Sequence, residues 1–191
     1  MIMASHGHET EIKLRMCDSV HARKLLRGAG FRVLRRRVFE ANTVLDTDEL
    51  TLRNSQKLLR VREAGGIVTI TYKGPPTVSR HKSREELEAE ASNAAAMSRL
   101  FERLGYRSVF RYEKYRTEYR KPRSSGIATV DETPIGTFME LEGTPEWIDR
   151  TASGFGFREE DYITMSYGRL YLNWCEEHGV EPSNMTFGRG N

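Results

Sequence analysis

Between residues 8 and 15 the chain reads HETEIKLR, with charged and apolar positions taking turns. Side chains alternate faces along a strand. Glu9, Glu11 and Lys13 therefore share one face, and Thr10, Ile12 and Leu14 share the other. The same parity recurs along the chain. LLRVR sets Arg60 and Arg62 against Leu59 and Val61. TITYK sets Thr69, Thr71 and Lys73 against Ile70 and Tyr72. REELE groups Arg84, Glu86 and Glu88, and YEKYRTE groups Lys114, Arg116 and Glu118. ATVDE places Asp131 opposite Val130, and FMELE places Glu140 and Glu142 opposite Met139 and Leu141.

Helical periodicity fills several of the gaps. DSVHARKLLRGAG predicts a helix capped by Asp18 or Ser19 and ended by Gly28 and Gly30, with Val20, Leu25 and Leu26 as its buried stripe. A second helix is expected from Ser92 through Met97, Leu100, Phe101 and Leu104, with Gly105 at its C-terminal end. Thr144-Pro145 opens a third, carrying Trp147 and Ile148. A last one runs from about Tyr167 to His178 and packs Leu170, Tyr171 and Trp174. Gly65-Gly66 marks a hairpin turn into IVTITYKG. GPPTVSRHK reads as a flexible loop that includes Lys82. LLRGAGFRVLR and LFERLGYRSVFR form a faint repeat of helix, glycine, aromatic and basic strand, each after a strand bearing Glu-x-Glu. Two such halves can close one sheet. Residues 1–178 are expected to form a single domain and 179–191 a flexible tail.

The chain has 191 residues, 30 Lys+Arg and 27 Asp+Glu, for a net charge of +3. That balance points away from a nucleic-acid arm or polybasic membrane binder. No stretch approaches the ~20 apolar residues of a membrane span. The start, MIMASHGHE, shows no signal-peptide pattern. Two cysteines, Cys17 and Cys175, are too few for a disulfide framework, and neither has a His or Asp at catalytic spacing. A cytoplasmic setting is expected.

One charged strand face is ordinarily a solvated face crossed by weak ion pairs. Here the faces place Arg beside Arg and Glu beside Glu, and repulsion at that spacing needs opposite charge between. The helices also carry apolar stripes that want an apolar partner. With the helices outside a closed sheet, the charged faces turn inward and line a tunnel. Such a lumen is costly unless its charges are matched. A phosphate chain satisfies the cations, with Arg forks gripping phosphate oxygens. Divalent cations satisfy the carboxylates, and oxygen-only ligands suit Mg²⁺ or Mn²⁺.

These residues resemble the CYTH superfamily, the triphosphate tunnel metalloenzymes. Its E-x-E-x-K motif is matched by Glu9, Glu11 and Lys13, and its L-R-x-R strand by Leu59 to Arg62. T-x-K-G-P resembles Thr71 to Pro75, R-x-E-x-E resembles Arg84, Glu86 and Glu88, and K-x-R resembles Lys114 and Arg116. A late acidic pattern is similar to Asp131-Glu132, Gly136, Phe138, Glu140 and Glu142. The matches run in order from residue 9 to about 172. The resemblance implies an α+β fold: an eight-stranded antiparallel β-barrel, the triphosphate tunnel, with helices packed outside. The DTDEL segment, SREELE and ITMSYGRLYL are most similar to class IV adenylyl cyclases, which implies ATP as substrate, cyclic AMP and pyrophosphate as products, and a homodimer.

By the same resemblance, Lys13, Arg60, Arg62, Lys73, Arg84, Lys114 and Arg116 bind the triphosphate. Glu9, Glu11, Glu88, Asp131, Glu140 and Glu142 are the metal ligands. Glu9, Glu11, Lys13, Asp131, Glu140 and Glu142 are the catalytic set, with Mg²⁺ or Mn²⁺ as cofactor. An inorganic, thiamine or nucleoside triphosphatase needs the same tunnel. Hydrolase members often use a lysine near the C-terminal end to position water. This chain has none after Lys121, which favours the cyclase, although Lys82 could substitute. A non-catalytic polyphosphate or nucleotide binder is the third class, and has little need of so many carboxylates. Arg27, Arg32, Arg35, Arg36 and Arg37 form a basic patch best read as a solvated strand edge. His6 and His8 are expected to be a flexible lead-in, and Trp147, Tyr171 and Trp174 to be core anchors.

Overall fold

The computed structural model describes residues 4–77 and 79–188. Its strands are β1 (Ala4–Met16), β2 (Arg32–Asp46), β3 (Leu58–Ala64), β4 (Ile67–Lys73), β5 (Lys82–Ala91), β6 (Arg107–Arg120), β7 (Ile127–Thr133) and β8 (Gly136–Glu142). The helices are α1 (Ser19–Gly28), α2 (Thr51–Asn54), α3 (Ala94–Arg103), α4 (Pro145–Gly154) and α5 (Tyr167–His178). All strand pairs are antiparallel, in the order β1-β5-β4-β3-β2-β6-β7-β8, and β8 closes on β1. The expected α+β architecture, a closed antiparallel barrel with helices outside, is the one observed. Among the described residues no helix is long and apolar enough to cross a membrane.

Alternation in β1 has the inverted direction that the charged faces required. Ile12 and Leu14 are 0% exposed, packed outward against Ala22 and Leu26 of α1 and Trp147, Ile148 and Ala152 of α4. Glu11 and Lys13 point the other way and are also buried. Two apolar sides thus meet between barrel and helices, and the polar sides enclose the lumen. Trp147 lies across Gly126 and Gly143, where a Cβ would stand only 2.4 and 2.9 Å from the indole. Those two positions need glycine for close approach.

The repeat is real in the backbone. β1–α1–β2 and β5–α3–β6 share one connection: Phe31 N–H bonds Leu26 O at 2.9 Å, and Tyr106 N–H bonds Phe101 O at 2.9 Å. Gly30 and Gly105 take φ values of 84° and 88° at the same point. β1 pairs with β5 and β2 with β6, so the two units meet strand against strand.

Several expectations change. Val20 is 69% exposed, and Ala22 takes its place in the α1 stripe beside Leu26 and the half-buried Leu25. Asn93, not Ser92, precedes α3, and Leu100 and Leu104 of that helix are 48% and 65% exposed. His6 and His8 belong to β1, paired with Leu87 and Glu85, rather than to a lead-in. The loop before β5 does not leave Lys82 mobile: that residue opens the strand and is buried. Residues 183–187 are docked rather than frayed. Met185 is 1% exposed and exchanges backbone bonds with Arg111 and Glu113, and the Phe187 ring packs on Tyr115. Residues 189–191 of the tail lie outside the described residues.

Candidate active site

Cross-strand pairing assembles the lumen. Glu11 on β1 stands between Lys82 on β5 and Glu142 on β8. Lys13 faces Glu140, and Glu140 faces Thr129 on β7. Arg116 faces Asp131, Lys114 faces Glu40, and Arg62 faces Asn42. Thr71 faces Arg60 on one side and Glu88 on the other, and Lys73 faces Glu86. Glu9 faces Arg84. These side chains border one cavity of about 1020 Å³, except Glu40, Asn42, Thr71 and Asp131, which lie buried in its wall. The structure therefore brings every predicted site residue to the same tunnel.

Charge is largely neutralised within this set. Both oxygens of Asp131 are taken: Arg116 bonds them in fork fashion at 2.7 and 2.6 Å, while Lys114 and the Tyr167 hydroxyl donate to Oδ2 at 2.7 and 2.8 Å. Glu140 pairs with Arg116 and, at 3.3 Å, with Lys13. Burial opposes its charge, but Arg116, Lys13 and Lys114 hold its carboxyl well below the usual range. Burial likewise opposes Glu11, and Lys13 and Lys82 pull it below that range. Lys73 pairs with Glu9 and, at 3.1 Å, with Glu86. Glu88 lies 3.5 Å from Arg62 and 3.7 Å from Arg60.

Two groups are left over, one of each sign. Arg84 is buried, has no ion pair among the described residues, and its Nε has no hydrogen-bond partner. Elsewhere in the lumen, on β3, burial and the guanidinium of Arg60 pull Arg62 below the usual arginine range. Each of the two sites is short of negative charge. Glu142 is the opposite case. It stands where the lumen opens to water and has no ion pair among the described residues. Enclosure by the wall, the Glu9 carboxylate and then Glu11 push its carboxyl up to about 7, against the pull of Lys73 and Arg116. That corner is short of positive charge.

A divalent ion fits this deficit. The available donors are carboxylate oxygens alone, the set that Mg²⁺ and Mn²⁺ prefer. Among the described residues no three carboxylate, imidazole or thiol groups converge closely enough to hold an ion. The reason is visible in the pairing: Glu9 and Glu11 lean on lysines, away from Glu142.

Sequence parity missed part of the lining. Glu40 and Asn42 on β2 are buried in the lumen, and Lys114, Arg116 and Arg62 hold Glu40 down at about 2 against its burial. Tyr112 accepts from Arg60 at 3.1 Å. Tyr167, at the start of α5, reaches Asp131, and Lys82 donates to Glu11 at 3.2 Å. Burial and the ammonium and guanidinium of Lys13 and Arg84 bring Lys82 down to about 8, although Glu11 pulls upward. Trp147, outside the tunnel, and Tyr171, which borders it, are buried anchors, and Trp174 stacks on Tyr171. The basic patch is partly paired, Arg37 with Glu132 at 2.9 Å and over the Tyr115 ring. Cys17 does have a histidine neighbour, His21 Nδ1 at 3.2 Å, on the exposed outer surface.

A closed antiparallel barrel with interleaved basic and acidic clusters along its lumen defines a charged-tunnel protein. The chain belongs to the CYTH domain family, whose model matches residues 7–155. A protein of Methanocaldococcus jannaschii provisionally named an adenylate cyclase is 30% identical over 135 residues, 70% of this chain and 75% of that one. Among solved structures, a Vibrio parahaemolyticus protein provisionally named an adenylate cyclase superposes with a TM-score of 0.71 at 22% identity, covering 85% of this chain and 96% of that one. A Pyrococcus horikoshii protein gives 0.70 at 25% identity, covering 83% and 96%. A Hippeastrum protein provisionally named an adenylyl cyclase, and described by a dominant triphosphatase activity, gives 0.61 at 20% identity, covering 91% and 97%.

Proposed function

We propose that the chain is a divalent-metal-dependent enzyme that holds the triphosphate of ATP in the tunnel and forms cyclic AMP and pyrophosphate. The observation that carries this reading is the pair of leftover charges along one lumen: a buried arginine and a carboxylate at the tunnel mouth, neither with an ion pair among the described residues. A phosphate chain complexed with a metal ion supplies both. The name of the Methanocaldococcus relative supports the choice of the cyclase reaction.

In this reading Arg84 takes phosphate oxygens first, because it has no ion pair among the described residues, and Arg60 and Arg62, held by Glu88 at 3.5 Å or more, follow. Lys13, Lys73, Lys114 and Arg116 exchange carboxylates for phosphate as the substrate enters. Glu9, Glu11 and Glu142 hold the metal. Glu88, Asp131 and Glu140 are engaged by cations and reach a metal only by releasing them; until then Asp131 orients Lys114 and Arg116. When bound, the ion lowers the pKa of the attacking hydroxyl and offsets charge on the leaving pyrophosphate. The ribose 3′-oxygen then bonds to the α-phosphorus as the bond to pyrophosphate breaks. The protein's part is positioning and charge neutralisation. A homodimer completes this reading, and sedimentation velocity tests it.

The second reading is hydrolysis of the terminal phosphate by water. Lys82 favours it, because a buried lysine beside Glu11 supplies the ammonium that the chain lacks near its C-terminal end. One incubation with ATP and Mg²⁺ or Mn²⁺ separates the two. Cyclic AMP plus pyrophosphate is the expected outcome. ADP plus phosphate, or phosphate released from inorganic tripolyphosphate, establishes the hydrolase. No turnover of either contradicts both.

A further inference from the structure

Lys82 and Lys13 share one acceptor. Their ammonium groups lie 3.2 and 3.1 Å from the same oxygen, Glu11 Oε1. Lys13 has a second carboxylate, Glu140 at 3.3 Å, whereas Lys82 has no other ion pair among the described residues. On the far side of Glu11 stands Glu142, which has no ion pair among the described residues. A cation that settles between Glu11 and Glu142 competes with both ammonium groups for the charge of Glu11 and weakens their hold on it. Lys82 is the one with nowhere else in the protein to go, and it borders the same cavity as Arg84.

The backbone that carries Lys82 is fastened from outside the barrel. His81, the preceding residue, points outward and is buried, with Nε2 2.7 Å from Asp149 Oδ1 on α4. The Tyr162 hydroxyl donates to the same oxygen at 3.2 Å, and Arg80 bonds Asp149 Oδ2 at 2.7 Å. Neighbouring residues of a strand face opposite sides. Fixing His81 on the outer side thus aims Lys82, the first residue of β5, into the lumen.

We propose that Lys82 is a further triphosphate-binding residue, held on Glu11 until substrate and cation arrive, and that His81 and Asp149 are its positioning residues. The assignment rests on the triphosphate reading above. It differs from a merely structural counter-ion role in one respect. A counter-ion of Glu11 can be removed without loss of phosphate affinity, because Lys13 still covers the carboxylate.

Calorimetric titration of the full chain with inorganic tripolyphosphate, with and without Mn²⁺, tests this. Lys82→Met is expected to weaken binding in Mn²⁺ by about tenfold or more, the size of one hydrogen bond to a charged group. Lys82→Arg is expected to retain most of the affinity. Asp149→Asn is expected to weaken binding in the wild-type background and to add nothing in Lys82→Met, as two residues acting through one contact require. Unchanged binding by Lys82→Met overturns the assignment. Equal losses from Asp149→Asn in both backgrounds overturn the positioning role. A wild-type chain that binds no tripolyphosphate overturns the triphosphate reading, and the assignment with it.

Discussion

Glu11 and Glu142 face one another across β1 and β8, yet only Glu11 has cations beside it, Lys13 and Lys82. The surrounding wall, then the carboxylates of Glu9 and Glu11, push the Glu142 carboxyl up to about 7. Its folded value lies above the ordinary 4.5, so the folded chain keeps a proton that the unfolded chain releases from about pH 4.5 upward. The stability contributed by this group is present below that pH and is lost as pH rises towards 7. Glu142→Gln is expected to gain thermal stability relative to wild type across that window, and Mn²⁺ to narrow the difference by stabilising wild type more. Melting curves from pH 4 to 8, with and without Mn²⁺, check this. Parallel pH profiles contradict it.

Arg84 sets binding against stability. Its guanidinium is buried with no ion pair among the described residues, a cost that a bound anion offsets. Arg84→Met is expected to leave the chain as stable as wild type or more so, and to weaken tripolyphosphate binding about tenfold or more. Denaturant titration and calorimetry read the two effects separately. A variant that is destabilised yet binds normally contradicts the role given to Arg84.

Asp131 behaves differently because its partners depend on it. Removing its charge takes the shared short-range partner from Lys114 and Arg116 and leaves them to Glu40 and Glu140 alone. Breaking a buried pair from one side costs about 3–5 kcal/mol, so Asp131→Asn is expected to lower unfolding stability by that order in guanidinium titration. A loss under about 1 kcal/mol shows that the triad is slack.

The contact between barrel and α4 is steric. A methyl at Gly126 meets the Trp147 ring at 2.4 Å. Gly126→Ala is expected to destabilise by about 1–3 kcal/mol, the usual cost of overpacking. Tripolyphosphate affinity of the folded fraction is expected to stay unchanged, because the contact lies outside the lumen. Thermal unfolding together with calorimetry checks both.

Strand parity made the lumen legible because a charged residue and its neighbour two along must share a face whatever the tertiary context. It placed Glu11 inside and Ile12 under α1 and α4 before any coordinates. Parity failed where register breaks. Glu40 follows an arginine run in which β2 slips against β6 between Val33 and Arg35 and again between Arg35 and Val38. Counting from the run does not reveal which way Glu40 points. Lys82 was named as a candidate but placed in a flexible loop, for another reason. Its order depends on Asp149, a residue whose distance along the chain no local pattern can bridge. Val20 and Leu104 show the reverse error: helical spacing marks a stripe but does not fix how wide a strip the barrel covers.

Crystals grown with Mn²⁺ and tripolyphosphate, measured at the manganese absorption edge, test the central claim most directly. The account predicts an anomalous peak within ligating distance of Glu11 and Glu142, with Glu9 beside it, and phosphate oxygens against Arg60, Arg62 and Arg84. An empty tunnel with tripolyphosphate bound on the outer arginine patch would contradict it.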